Sequence, residues 1–224
     1  MTRLGPAWYP LFLDLRGLPV VVVGGGAVAA RKVRGLLRAG ARVTVVAREV
    51  YAPLARDSRI RTLRRAFYPA SLNGARLVFA ATDDAALNAR IARLARRKRI
   101  WANVAAPPEA GDALVPACVR QGRICVAIST GGASAAAARN LRRELSGRLD
   151  RAWGVFVDLL EVRRKRIKAR VAGAGARRRL LKALGSAHWV AEIRAQGRAA
   201  VARKMDALIQ KTARKKMRRN GVLE

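Results

Sequence analysis

Acid is what this sequence most lacks. Fourteen Asp and Glu stand against 47 Lys and Arg in 224 residues, a formal net charge of +33. With so little to balance the cations, the chain carries a field that attracts polyanions: nucleic acid, acidic lipid or a polycarboxylate. The cations are mostly arginine and alanine is abundant, so a GC-rich coding bias accounts for the charge equally well. Cysteine is scarce too. Cys118 and Cys125 are too few for a disulfide framework or a four-cysteine zinc site. They flank VRQGRI. With Gln121-Gly122 as a two-residue hairpin turn, they would face each other across two strands as a hydrogen-bonded pair, as reduced, half-buried thiols. The one histidine, His188, lies beside Trp189 in a basic tail, where packing or a surface position suits it better than catalysis. Aromatics are only 5% of the chain, and no basic-and-aromatic reading surface is visible, so nucleic acid is not the expected partner. No apolar run reaches the length of a membrane span. The opening MTRLGPAWYPLFLDL has neither the apolar core nor the cleavage site of a secretory leader. The expected location is the cytoplasm, away from membranes.

What the chain does have is alternation. LPVVVVG is a continuous apolar run, as in a strand buried on both faces. Ala29, Val33, Leu36 and Leu37 then recur on one helix face, and Gly40 stands where a helix ends. RVTVVA, RIRTLRRAF, RLVFAAT and IWANV read as four more strands, the second of these polar enough for a sheet edge. Asp83 or Asp84 caps a helix whose apolar face is Leu87, Ile91 and Leu94. Strands separated by helices imply an α/β fold with a parallel sheet. After the loop AAPPEAGDA come two adjacent strands, LVPACVR and RICVAIST. A helix from about Ser134 to Leu149 follows, with Leu141, Leu145 and Leu149 on one side. From Arg151 onward nothing reads as a strand; Val155, Leu159, Val162, Leu180, Leu181 and Leu184 suit short amphipathic helices, and the last dozen residues suit disorder.

The chemistry is concentrated in VVVVGGGAVAARK. It contains G-x-G-x-x-A at Gly24, Gly26 and Ala29, after a buried strand and at a helix start. Gly24 permits the turn, Gly26 lets the backbone approach a pyrophosphate, and Ala29 lets the helix pack closely. The amides of Gly25, Ala27 and Val28 complete an anion-binding bend at a helix N-terminus. The alternative is a glycine turn kept for packing. At the end of the second strand, Glu49 offers an acceptor for a ribose hydroxyl, whereas Arg48 offers a partner for a 2′-phosphate, so these residues leave NAD and NADP open. In AATDD the small residues admit a cofactor, with Thr82 and Asp83 within reach of it. In STGGAS, Ser129, Thr130, Gly131, Gly132 and Ser134 form either a carboxylate cradle or an ordinary cap at Ser134.

Four stretches in register then resemble one known family: LFLDLRGLPVVVVGGGAVAARKVRGLLRAGARVTVVA, FAATDDAALN, NVAAPPEAGDALVPA and VAISTGGASAAAARNLRREL look like the N-terminal module of siroheme synthase, over roughly residues 8–150. That module is precorrin-2 dehydrogenase, often also sirohydrochlorin ferrochelatase. The resemblance implies a Rossmann-type NAD-binding domain over 1–113, a small strand-and-helix dimerisation region over 114–150, and a basic helical region over 151–224, assembled as a homodimer. It implies that a hydride passes from precorrin-2, a reduced tetrapyrrole with eight carboxylates, to NAD⁺, with Asn103 and the 129–134 loop on the substrate side. It also exposes a departure. The family has an aspartate shortly after its Asn-Val pair, implicated in both activities, and here that place is taken by Ala106. Alanine neither moves a proton nor binds iron, so the catalytic residue is unassigned. Glu109 and Asp112 in the same loop are the substitutes on offer, Fe²⁺ insertion is doubtful, and no resident metal is expected. Dehydrogenation can persist, because the cofactor carries the hard chemistry; the other outcome is a relative that binds without turnover.

Overall fold

The computed structural model describes residues 8–219, with side chains to residue 214. The chain divides into two compact units, Met1–Val115 and Pro116–Glu224.

The first unit is built on β1 (Pro19–Val23), β2 (Arg42–Ala47), β3 (Ile60–Arg64), β4 (Leu77–Ala80) and β5 (Trp101–Val104). All four pairings are parallel, in the order β3-β2-β1-β4-β5. The polar strand β3 is an edge strand, as its sequence suggests. In β1, Val20 and Val22 join the core on one side of the sheet and Val21 and Val23 the core on the other. That two-sided burial is why the run does not alternate. Helix α1 (Ala27–Arg38) covers one side with Ala29, Val33 and Leu36. Helix α3 (Ala85–Arg97) covers the other with Ile91, Ala92 and Ala95. Between β2 and β3 lies the single turn α2 (Ala52–Ala55), and short 3₁₀ turns occupy Pro69–Leu72 and Pro108–Ala110. α3 is capped by Asp84, whose carboxylate accepts from the Leu87 amide at 2.9 Å. Asp83 is left exposed.

The second unit opens with the antiparallel hairpin of β6 (Ala117–Gln121) and β7 (Ile124–Ile128). Its two turn residues are Gly122 and Arg123, one position later than the sequence suggested. Gly122 has φ +56°, the left-handed first position that a type II′ hairpin turn reserves for glycine. The slip moves every pairing: Cys118 lies opposite Ala127 and Cys125 opposite Arg120, so the two free, half-buried thiols are diagonal neighbours. Burial, and then the nearby Cys125, pushes the Cys118 thiol above the usual range.

Helix α4 (Ala135–Arg148) buries Ala138 and leaves Leu141 45% exposed. The helices α5 (Arg151–Arg170), α6 (Ala174–Leu184) and α7 (His188–Arg219) follow, α7 broken at Gly197. Residues 212–219 continue α7, so only 220–224 of the stretch expected to be disordered lies outside the described residues. The apolar stripe of α5 is Ala152, Phe156, Leu159 and Ile167, while Val162 is exposed. Arg163 sits within that stripe, 4% exposed. Its guanidinium donates to the Leu159 carbonyl, to the Ala202 carbonyl and to Asp206 at 3.0 Å, so a buried charge ties α5 to α7. No described helix is long and apolar enough to cross a membrane.

Candidate functional site

The strand order reverses at β1: the chain leaves β1 toward β2 and β3, then returns to place β4 on β1's other flank. The crevice beyond the carboxyl ends of β1 and β4 is therefore the topological switch point, where open α/β sheets take their ligands. The bend at Gly24–Gly26 lies there. Gly24 has φ +116°, and a Cβ on it would meet the Ala81 carbonyl oxygen at 2.3 Å. A Cβ on Gly25 would lie 2.0 Å from the Glu49 carbonyl oxygen. The Gly25 carbonyl in turn accepts from the Tyr51 amide at 2.8 Å. These two glycines let the bend sit tight against the ends of β2 and β4. Gly26 is different: a Cβ there meets nothing within 4 Å, and its backbone is extended. Open space lies above it.

Gly26 is also the N-cap of α1, and it has no side chain to cap with. No acidic residue stands in the first turn. The first internal bond of the helix runs from Ala30 to the Gly26 carbonyl. The amides of Ala27, Val28 and Ala29 thus have no helical partner, and the positive end of the helix is not neutralised. Ala29 is fully buried against the sheet, while Ala27 and Val28 are exposed. Free amides, an uncompensated dipole and an open approach over Gly26 suit the pyrophosphate of a dinucleotide. On this geometry the residues present fit such a cofactor.

Across the crevice, the loop after β4 is organised by a residue that sequence reasoning missed. Asn88 on α3 is fully buried. Its amide donates to the carbonyls of Thr82 and Ala106, both at 3.0 Å. Its oxygen accepts from the Thr82 amide and from the Thr82 hydroxyl. One side chain therefore fixes the loop after β4 to the loop after β5. The signal was present in DDAALN, as a polar residue at an inward helical position, but the sequence gives no hint of its partners. Thr82 spends its hydroxyl proton on Asn88 and the Asp84 carbonyl, so toward a cofactor it offers only a lone pair.

The remaining candidates fall in three places. Arg48 and Glu49 follow β2 at the same carboxyl edge, both exposed. Ala106, also exposed, follows β5 there, with Glu109 exposed three residues on. Asp112 does not belong to this group. Its carboxylate binds Arg96 at 2.7 Å, at the C-terminal end of α3. Eleven residues of helix separate Arg96 from Ala85 beside the crevice, about 16 Å at 1.5 Å per residue. Asp112 is therefore anchored at the opposite end of the sheet and is corrected as a substitute base. Asn103 is 7% exposed and donates to the Ala113 carbonyl at 2.8 Å. Through that bond its amide holds the returning chain against β5.

In the second unit, Ser134 caps α4, accepting from the Ala137 amide. Thr130 exchanges two hydrogen bonds with the backbone of Ser134, and Ser129 accepts from the Gly131 amide. Gly131 and Gly132 both have positive φ. His188 packs its ring on Trp189 and bonds Ser186. Among the described residues no three His, Cys, Asp or Glu side chains converge as metal ligands do.

A family model described as putative NAD(P)-binding matches residues 11–117. Siroheme synthase 3 of Aeromonas hydrophila is 39% identical over 201 residues, 88% of this chain and 43% of that protein. The siroheme synthase of Methylococcus capsulatus is 41% identical over 174 residues, 76% of this chain and 37% of that one. The chain thus spans less than half the length of these curated relatives. Among solved structures, SirC, a precorrin-2 dehydrogenase, matches with a TM-score of 0.74 and 27% identity, over 91% of this chain and 100% of that one.

Proposed function

The chain belongs to the family of the siroheme-synthase N-terminal module, and from that premise we propose that it is an NAD-dependent precorrin-2 dehydrogenase, producing sirohydrochlorin for siroheme synthesis. The observation that carries the reading is the open, uncapped start of α1 above Gly26, at the switch point of the sheet. There the amides of Ala27, Val28 and Ala29 hold the pyrophosphate. The ends of β2 and β4 line the path of the rest of the cofactor, Glu49 and Arg48 toward one ribose and Thr82 and Asp83 toward the other half. When bound, NAD⁺ supplies the hydride acceptor.

The protein's own part is to bind and orient. A net charge of +33 draws in a substrate with many carboxylates, and the 129–134 loop is the proposed cradle for some of them. The hydride removed from precorrin-2 leaves with its electron pair, and a proton is released alongside. Ala106 cannot take that proton; it passes to solvent or to Glu109. Losing a positioned base costs about 10²–10⁴ in rate, so turnover is slow compared with an aspartate-bearing relative. Fe²⁺, the substrate of a second activity, is inserted weakly or not at all, because pyrrole protons must leave as the metal enters. The proposed assembly is a homodimer using the second unit, where Leu141 stands exposed on α4, and the proposed location is the cytoplasm.

Ala106 also supports a second reading, a relative that binds NAD and tetrapyrrole without turnover. One cuvette separates the two. Folded protein is given enzymatically generated precorrin-2 and saturating NAD⁺, followed at the NADH and sirohydrochlorin bands, then given Fe²⁺. NADH and sirohydrochlorin appearing together support the dehydrogenase. NAD binding by calorimetry with no NADH formed leaves the binding relative.

A further inference from the structure

Helix α1 carries a row of charge that the dinucleotide crevice does not use. Arg31, Arg34 and Arg38 are all exposed. They follow i, i+3, i+7, so they share one helix face with about 5–6 Å between neighbouring Cβ atoms. Like charges at that spacing repel, and α1, AVAARKVRGLLR, holds no acid to relieve them. Elsewhere in this unit arginines beside carboxylates pair with them: Arg16 with Asp14, Arg59 with Asp57, Arg96 with Asp112. Arg31, Arg34 and Arg38 take part in no ion pair among the described residues. Lys32 stands apart from the row, half-buried, with its amine 5.7 Å from the Phe79 ring centroid.

The row forms one wall of a groove. A concavity of about 350 Å³ is lined by Arg31, Arg34, Leu37, Arg38 and Arg59, four cations around one aliphatic side chain and no acid. Arg59, the residue before β3, closes it from outside the helix, with its guanidinium fixed by Asp57 at 2.7 Å. The parallel strands run toward the crevice, so the start of β3 and the end of α1 lie at the opposite edge of the sheet. Arg38 stands about 16 Å along the helix from Ala27, at 1.5 Å per residue, and the groove leads away from the open amides beside Gly26. We propose that this groove binds a linear phosphate chain, a di- or triphosphate group, outside the dinucleotide site. The three unpaired guanidiniums span about 10 Å of helix, and each grips a phosphate through paired hydrogen bonds. A phosphate chain presents its charges in a line, as the arginines are set, whereas a compact polycarboxylate meets fewer of them at once. The volume is that of a small-molecule site.

The test is calorimetry with inorganic triphosphate on the full chain, with and without saturating NAD. The expected result is one site per chain, of equal affinity in both arms and weaker as salt rises. The double variant Arg34→Gln/Arg38→Gln weakens it by at least about tenfold, the weight of one charge-assisted hydrogen bond. Arg93→Gln/Arg97→Gln on α3 is the control. It removes the same charge at the same spacing from exposed positions, and shifts the affinity by less than about twofold. Equal losses in the two variants make the binding a property of net charge and overturn the proposal. So do the absence of binding, several triphosphates per chain, competition with NAD, or citrate binding as tightly as triphosphate. A single-stranded oligonucleotide that binds tighter per phosphate also overturns it, in favour of a nucleic-acid surface. Protein that binds triphosphate but not NAD leaves the groove standing and fails the dinucleotide reading above.

Discussion

Gly25 and Gly26 are neighbours with opposite structural duties, and alanine at each separates folding from binding. At Gly26 the backbone is extended, with φ −82° and ψ −171°, which any residue adopts, and a Cβ meets nothing within 4 Å. Gly26→Ala therefore lowers stability by no more than about 1 kcal/mol, the cost of alanine in place of glycine at an N-cap. Its methyl group nonetheless stands in the open approach to the α1 amides. Displacing a phosphate oxygen from one of them forfeits a charge-assisted hydrogen bond of about 1.5–3 kcal/mol. NAD binding weakens by about ten- to a hundredfold as a result. Gly25→Ala sets a Cβ 2.0 Å from the Glu49 oxygen and 3.0 Å from the Ala47 Cβ, so the segment after β2 must move. Overpacking of this kind costs about 1–3 kcal/mol, and the midpoint of urea unfolding falls. Urea titration and calorimetry with NAD on both variants make the assay. Gly26→Ala protein that is stable and binds NAD as tightly as the parent would refute the placement of the phosphates over that bend.

Asn88→Ala removes four hydrogen bonds from a fully buried position. At about 1 kcal/mol each, less what water recovers at the exposed Ala106 end, it destabilises the first unit by about 2–3 kcal/mol and weakens NAD binding as the loop after β4 loses its place. A urea midpoint equal to the parent's contradicts the clamp. Ala106→Asp adds the proton acceptor that the resemblance expects, and raises the rate of NADH production by about a hundredfold; stopped-flow turnover that does not rise shows that the proton finds another route. The hydrogen bond from the Arg59 side chain, followed by that from its backbone amide, holds the Asp57 carboxyl down at about 2. A depressed acid stabilises the fold fully above its ordinary value of 3.8, and that contribution is lost as the pH falls through about 2. Carbon-detected titration of Asp57 reads a midpoint near 2 in the parent, moving up toward the ordinary value in Arg59→Ala; equal midpoints exclude the pair.

The sheet was legible because its strands are coded twice, once by apolar runs and once by the glycines and caps between them. Val20–Val23 is buried on both sides of the sheet, and only a parallel sheet between helices asks for that. The edge position of β3 showed in its arginines. What the sequence did not disclose depends on single-residue geometry or distant partners. The hairpin slipped by one because glycine fits the first turn position as well as the second, and the backbone hand decides. Val162 looked like a core position by spacing from Val155 and Leu159, but α5 turns Phe156 and Ile167 inward instead and accepts Arg163 among them, because Asp206 on α7 answers its charge. Asp112 read as an active-site acid because it lies six residues from Ala106 in sequence. The chain between them doubles back along β5, where the Asp112 amide bonds the Ala102 carbonyl, and carries the carboxylate to Arg96.

The Ala106 position joins these two kinds of information. Its side chain is the least reactive available, yet its backbone is held by a buried amide on α3 and by the neighbouring Ala105 amide, which bonds the Ala80 carbonyl. The loop's placement does not depend on a carboxylate at that position, because none of these contacts uses the side chain. Loss of the acid therefore removes a proton acceptor without loosening the walls of the crevice. Hydride transfer asks for a bound cofactor and a substrate held against it, and both demands fall on backbone amides, glycine geometry and positive charge, all of which this chain has. Metal insertion asks for a group that takes protons from pyrrole nitrogens, and the nearest exposed acid on this loop, Glu109, stands three residues past the family's position. On the proposed reading, the two activities that the resemblance assigns to one aspartate would separate at this single residue, the step that leans on the cofactor depending less on it than the step that leans on the side chain.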